Sequence, residues 1–346
     1  MKNKIVTFGE PVLRLSVPGY LRIEQANSFN VSYGGAELNV AVSLRRFGKD
    51  VEFIARFPEN EIGDACLAFI RRHDIGLSNI VRGGSRLGLY YYETGAAQRP
   101  SMVVYDRANS STATIAPGMV NWKKVFNEAC WFHFSGITAA LSKSAADVCL
   151  ESVVEAKRSG VIVSCDLNYR YKLWNWGKEA IEIMSELVKY CDVIIGNEED
   201  AEKSLGVKAP QTDIKKANID SENYFVVCEK LSQSFSNLQT IIFTLRQSLS
   251  ASHNIWSGVL WNKEKGFFKG TTYDIKPIVD RLGGGDSFAA GIIYGLTEFG
   301  TDYQKTLNFA ISASCLKHSI QDDFNLVSLT EVFKLMEGDA SGRISR

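Results

Sequence analysis

Six short apolar runs recur along the chain: KIVTFGE, VEFIARF, CWFHFSG, VIVSCDL, DVIIGNE and TIIFTL. Between most of them lie stretches of helical periodicity such as AELNVAVSLRRFG, SAADVCLESVVEAKRSG and KEAIEIMSELVKYC. Strands that alternate with amphipathic helices point to a parallel sheet with helices on its faces. After residue 285 the pattern turns mainly helical. Two segments break the rhythm, about 11–33 and about 80–108, both amphipathic and hairpin-like. They are expected to pair as a small sheet that projects from the main body, either a lid over a site or a surface ornament. Residues 1–346 are read as a single domain carrying this lid.

In an open α/β sheet, ligands bind beyond the carboxyl ends of the strands. Polar residues follow the apolar runs at that edge: Gly9–Glu10, Ser135–Gly136, Asp166–Arg170, Asn197–Glu198 and Thr244. One such residue is an ordinary strand cap; five together suggest a cleft.

The stretch DRLGGGDSFAAGIIYG adds chemistry. Phe288, Ala289, Ile292, Ile293 and Leu296 recur at helical spacing, so a helix is expected from Asp286. Gly283, Gly284 and Gly285 would form the turn that feeds its N-terminus. Exposed amides and the helix dipole at such an end favour an anion. A carboxylate beside a bound phosphate makes sense if Asp286 takes the proton of a hydroxyl attacking that phosphate. The plainer alternative is a glycine-rich turn with a capping aspartate.

Composition narrows the partners. The chain has 346 residues, 45% hydrophobic and 23% charged, with 39 Lys+Arg against 39 Asp+Glu. Zero net charge removes the bulk electrostatic case for nucleic acid or an anionic membrane. The cysteines at 66, 130, 149, 165, 191, 228 and 315 form no metal-ligand spacing and suggest reduced thiols. With no long apolar stretch and no signal pattern near MKNKIVTFGE, a cytoplasmic location is expected. His133 within CWFHFSG reads as a core histidine, and no Ser-His-Asp or Cys-His arrangement can be argued.

DRLGGGD resembles the signature of the ribokinase-like (PfkB-type) sugar kinases, usually Asp-Thr-x-Gly-Ala-Gly-Asp. YGGAELNVA, with Gly34, Gly35 and Asn39, and NEED, Asn197 to Asp200, resemble two further motifs of that family in the same order. The resemblance implies a three-layer α/β/α fold with a mostly parallel central sheet and a small β lid. It implies that Asp286 is the general base and that the Gly283, Gly284 and Gly285 amides hold the transferring phosphoryl group. ATP is the implied donor, with Mg²⁺ organised through water by Asn197, Glu198 and Asp200; the need for a monovalent cation stays open. A nucleotide is expected along Asn168, Asn197, Thr244, Arg246, Ser248, Gly283 and Gly285. Dimerisation through the lids, giving a homo-oligomer, is the family-type expectation.

Within the family, several positions resemble the 2-keto-3-deoxygluconate kinases. These are Tyr90, Tyr105 and Arg107 from the lid region, then Asp166, Asn168 and Arg170, and Asp323 near the C-terminus. By that resemblance Gly34, Gly35, Asn39, Tyr90, Tyr105, Arg107, Arg170, Asp286 and Asp323 contact the sugar. Two arginines in one small cleft suit a carboxylate, because guanidinium pairs with it bidentately. Strand-packing tyrosines and solvated arginines are the simpler alternatives. The chain also departs from the pattern: TLRQSLSASHN stands where a glycine turn near the nucleotide is usual, and Arg281 replaces Thr or Ser. A 2-keto-3-deoxy sugar acid kinase is the leading expectation. A fructokinase or other neutral-sugar kinase, a nucleoside kinase and a catalytically silent sugar-acid-binding regulator remain open.

Overall fold

The computed structural model describes residues 2–208 and 221–339. The strands of the first third are β1 (Lys4–Phe8), β2 (Val12–Ser16), β3 (Asn30–Gly34), β4 (Val51–Ile54), β5 (Arg56–Phe57), β6 (Val81–Arg82), β7 (Gly88–Glu93) and β8 (Met102–Asp106). Then come β9 (Ala129–Ser135), β10 (Ile162–Asp166), β11 (Val193–Gly196), β12 (Thr240–Ser250), β13 (His253–Asn262), β14 (Gly266–Lys269) and β15 (Tyr273–Ile275).

A nine-stranded sheet runs β14-β13-β12-β11-β10-β9-β1-β4, with β15 paired to β13. From β12 to β4 every pairing is parallel; β13 joins β12 antiparallel and turns that edge into a meander. Strands buried on both faces read as unbroken apolar runs, which is why Ile5, Val6 and Phe8 of β1 are all fully buried. One apolar core, with Phe132, Val163 and Ile194, packs beneath helices that include Lys143–Arg158 and Ala180–Val188. A second, with Ile5, Phe53 and Ile242, packs beneath Ala36–Arg46, Gly284–Glu298 and Tyr303–Lys317. The layers are therefore helix, sheet, helix.

The two segments outside the strand–helix rhythm pair as a four-stranded sheet in the order β3-β2-β7-β8. Its register sets Ser32, Arg14, Tyr90 and Tyr105 side by side in one row. The adjacent row, Val31, Leu15, Tyr91 and Val104, necessarily points to the other face. The helix Glu61–Arg71, capped by Asn60, and the antiparallel strands β13 to β15 go beyond the six runs read from the sequence.

Candidate active site

A cavity of about 610 Å³ opens beyond the carboxyl ends of β10 and β11, between the main sheet and the small one. At its centre the helix Gly284–Glu298 begins two residues earlier than the apolar periodicity indicates. Its N-cap, Gly283, has φ 77°, and a Cβ there would overlap the carbonyl oxygen of Asp323, so only glycine fits. Gly283 and Gly285 border the cavity, and a Cβ at Gly285 would meet only open space. Gly284 lies behind them, its amide directed to the Arg281 carbonyl at 3.4 Å. The turn expected to offer three glycines to the cavity therefore presents two.

Asp286 follows on the cavity wall and accepts a 2.7 Å hydrogen bond from Asn39 Nδ2. Desolvation raises its pKa to about 7 against the opposing Asn39 bond; the charges of Asp323 and Glu37 push the same way, and Arg170 pulls back. Asn39 is itself fixed by its helix. Gly35, the N-cap at φ 135°, accepts the Asn39 amide at 2.7 Å, and its backbone sits against Glu10 so closely that a Cβ would overlap that carbonyl.

The small sheet supplies one wall. Tyr90, Tyr105 and Arg107 line the cavity, as do Arg170 and Asp323. Arg107 is buried and donates Nε to Glu10 Oε2 at 2.5 Å, so part of its fork is already engaged. Tyr90 donates to the Asp323 carboxylate at 2.8 Å, and burial raises the phenol well above its usual range. Arg170, exposed in the loop after β10, donates to the Tyr169 carbonyl and has no carboxylate partner among the described residues. Gly34 does not line the cavity; its Cα abuts the Asp323 carboxylate from behind.

At the opposite end β12 runs on to Ser250 instead of turning after Thr244. Thr244, Arg246 and Ser248 consequently alternate along one strand face, and all three line the cavity. Arg281, unexplained by sequence, donates Nη2 to the carbonyls of Ser250 and Ala251 at 3.1 and 2.6 Å. It pins the tip of the β12–β13 hairpin to the glycine turn, and the Ala251 amide reaches on to Ala97 beside the small sheet. Asn168, at φ 35°, keeps its buried Oδ1 without a partner on the same wall.

The acidic motif has a double life. Asn197 Oδ1 caps the Asp200 amide at 2.9 Å, while Asp200 accepts the amides of Asn197 at 3.0 Å and Tyr169 at 2.8 Å. Burial raises Asp200 to about 6, against the pull of Arg170 and those amides. Glu198 Oε2 accepts the Tyr224 hydroxyl at 2.7 Å. Among the described residues no three His, Cys, Asp or Glu side chains are arranged to hold a metal ion. Asp166 is buried, and its pKa is raised well above the carboxylate range, chiefly by desolvation and then by the charges of Asp200 and Asp286.

Sequence reasoning missed Arg14, which orders the expected contact Asp323, and placed Glu10 at the cleft edge without its role of holding Arg107. It also missed Ile137, Val103 and Trp256 on the wall. The expected core histidine is found: His133 is buried, bonded to Ser164 at 2.8 Å and depressed to about 3 by desolvation. The seven cysteines are all free. No described helix is long and apolar enough to cross a membrane.

Amides at a helix start, a carboxylate poised to gain a proton near neutrality and cations facing them across a small cavity suit one kind of work, moving an anionic group onto a hydroxyl. Such a division of labour is that of a small-molecule kinase. Residues 2–321 match the pfkB family of carbohydrate kinases, and the chain belongs to that family. It is 30% identical over 344 residues to the 2-dehydro-3-deoxygalactonokinase of Haloferax volcanii, covering 99% of each chain. A crystal structure of 2-dehydro-3-deoxygluconokinase from Thermotoga maritima superposes with a TM-score of 0.91 at 43% identity, covering 97% of this chain and 100% of that one. The 5-dehydro-2-deoxygluconokinase of Geobacillus thermodenitrificans is 26% identical over 316 residues, covering 90% of this chain and 86% of its own.

Proposed function

We propose that this carbohydrate kinase transfers the γ-phosphoryl group of ATP to a terminal hydroxyl of a 2-keto-3-deoxy sugar acid. Arg170 carries the reading. A guanidinium at a cavity wall without a carboxylate partner among the described residues calls for an anionic ligand group, and the free part of Arg107 faces the same space. Both 2-dehydro-3-deoxy relatives bear sugar-acid names, which supports the class and leaves the epimer open. The prior engagement of Arg107 by Glu10 favours the rival, a neutral-sugar kinase such as a fructokinase.

In the reaction the sugar hydroxyl attacks the γ-phosphorus, its proton passes to the Asp286 carboxylate, and the bond to the leaving ADP oxygen breaks. The amides of Gly283 and Gly285 and the helix dipole face the charge on the transferring group. Thr244, Arg246, Ser248, Asn168 and Asn197 would line the nucleotide. Their all-oxygen neighbours fit a hydrated Mg²⁺: Glu198, with Asn197 and Asp200 behind it, would hold the ion through water, because both Asp200 oxygens already accept amides. Such an ion would offset phosphate charge. Closure of the small sheet would exclude water as a competing acceptor. Its outward row, with Val31 61% and Val104 44% exposed, is where a homo-oligomer would pair.

A coupled ADP-release assay with Mg²⁺-ATP across 2-keto-3-deoxygluconate, gluconate, fructose, ribose and adenosine tests the proposal. Preference for the keto-deoxy acid is expected, with Asp286→Asn lowering kcat by about 10²–10⁴-fold. Preference for fructose would replace the acceptor; no turnover with any of them would overturn the reading.

A further inference from the structure

Behind the glycine turn lies a set of buried charges, of which only Asp323 also borders the cavity. Arg14, on the small sheet, is 1% exposed, and each of its guanidinium nitrogens donates a hydrogen bond. Nη2 donates to Asp280 at 2.6 Å, Nη1 to Asp323 at 2.7 Å and Nε to Ser16 Oγ at 2.7 Å. Its guanidinium also lies 4.4 Å over the Tyr92 ring. Lys317, fully buried at the end of its helix, donates to the Ile320 carbonyl at 3.0 Å and feels both acids.

Both acids touch the turn. Asp280 opens the DRLGGGD stretch and accepts the Leu282 amide at 3.0 Å. Asp323 sets its carbonyl against Gly283 and its carboxylate against Gly34 and Tyr90. Two buried carboxylates beside an anion site would repel the incoming phosphoryl group, and two buried cations offset them. We propose that Arg14 is a positioning residue of the transfer reaction: from the small sheet it binds Asp280 and Asp323, and so holds that sheet, the glycine turn and the neighbouring base in one register.

The inference rests on the kinase reading. Asp286 faces Asn39 and Glu37 from one helix, Asp166 and Arg170 from the end of β10 and its loop, Asp323 from the C-terminal loop and Lys317 behind. Of these, Asp323 is bound by Arg14. Taking Arg14 away leaves two carboxylates facing Lys317 alone, and the excess negative charge makes Asp286 hold its proton more tightly.

The test uses Arg14→Gln, Arg14→Lys, Asp280→Asn and the Arg14→Gln/Asp280→Asn double variant, each with kcat, KM, ADP affinity by calorimetry, the acid limb of kcat/KM against pH, and Tm. Arg14→Gln should lower kcat about 100-fold, the cost of a displaced catalytic geometry, with ADP affinity within about twofold. Its acid limb should move up by about one pH unit, Asp280→Asn alone should move it down, and the double variant should return it toward wild type. Arg14→Lys should keep part of the rate. If Arg14→Gln lowers Tm yet leaves kcat and the acid limb at wild-type values, or if Asp280→Asn leaves the limb in place, the proposal is overturned. Asp280→Asn decides the matter even where Arg14→Gln does not fold. Failure of the kinase reading looks different: the wild-type protein itself would release no ADP with any acceptor.

Discussion

Asn39 and Asp286 offer the sharpest handle on the chemistry. Their hydrogen bond, Nδ2 to Oδ2 at 2.7 Å, stabilises the carboxylate and works against the desolvation that raises Asp286 to about 7. A hydrogen bond to a charged group contributes about 1.5–3 kcal/mol. At 1.36 kcal/mol per pH unit, about 2 kcal/mol corresponds to a rise of about 1.5 units in Asn39→Ala. A base must be ionised to act, so kcat/KM falls as pH drops through its pKa. The acid limb should therefore move from about pH 7 to about 8.5 in the variant. At pH 7 the ionised fraction would drop from about a half to about 3%, a loss of about 15-fold that is mostly recovered by pH 9. The assay is ADP release at saturating donor and subsaturating sugar acid from pH 5.5 to 9.5. An unmoved acid limb, or a loss of equal size at every pH, would refute the assignment of Asn39 as the residue that keeps Asp286 basic.

Two further outcomes follow from other contacts. Arg170→Gln should raise KM for the keto-deoxy acid about 10–100-fold, the worth of a charge-assisted contact, and leave KM for fructose unchanged; equal KM effects on both sugars would remove Arg170 from the carboxylate. His133 and His318, both buried, are depressed by desolvation to about 3 and about 4. The unfolded chain binds their protons first as pH falls below about 6.5, so stability rises with pH, and each should contribute about 2 kcal/mol less at pH 5 than at pH 7.5. Urea unfolding at the two pH values, for wild type against His133→Asn and His318→Asn, should show each variant losing that share of the difference; an unchanged difference would contradict the burial argument.

Much of this architecture is written into the chain because its signals are local. A strand buried on both faces, such as β1 or β11, is an apolar run of four or five residues, and six such runs place most of the parallel sheet. The glycine turn and Asp286 are likewise contiguous. The helix start at Gly284 is not legible, because glycines are weak helix formers and periodicity begins only with the apolar residues after them. The continuation of β12 through Arg246 and Ser248 depends on β13, whose partners lie across the hairpin. Arg14 is the least legible of all. Its acids lie 266 and 309 residues away along the chain, and no spacing rule connects an arginine on an early strand with aspartates near the other end. Arg281 escapes for a similar reason, since the backbone carbonyls it holds carry no sequence signal.

The two rows of the small sheet have a consequence for how such a protein can change. Ser32, Arg14, Tyr90 and Tyr105 face inward only because every strand keeps its parity, and one inserted or deleted residue in β2 would turn Arg14 outward and bring an apolar neighbour inward. Single-residue insertions are therefore barred from these strands, whereas the longer stretch between Gly95 and Ser101 can vary in length without altering that parity. Acceptor preference in such a chain can drift by exchanging side chains within a fixed frame, and the frame itself can lengthen only at its loops.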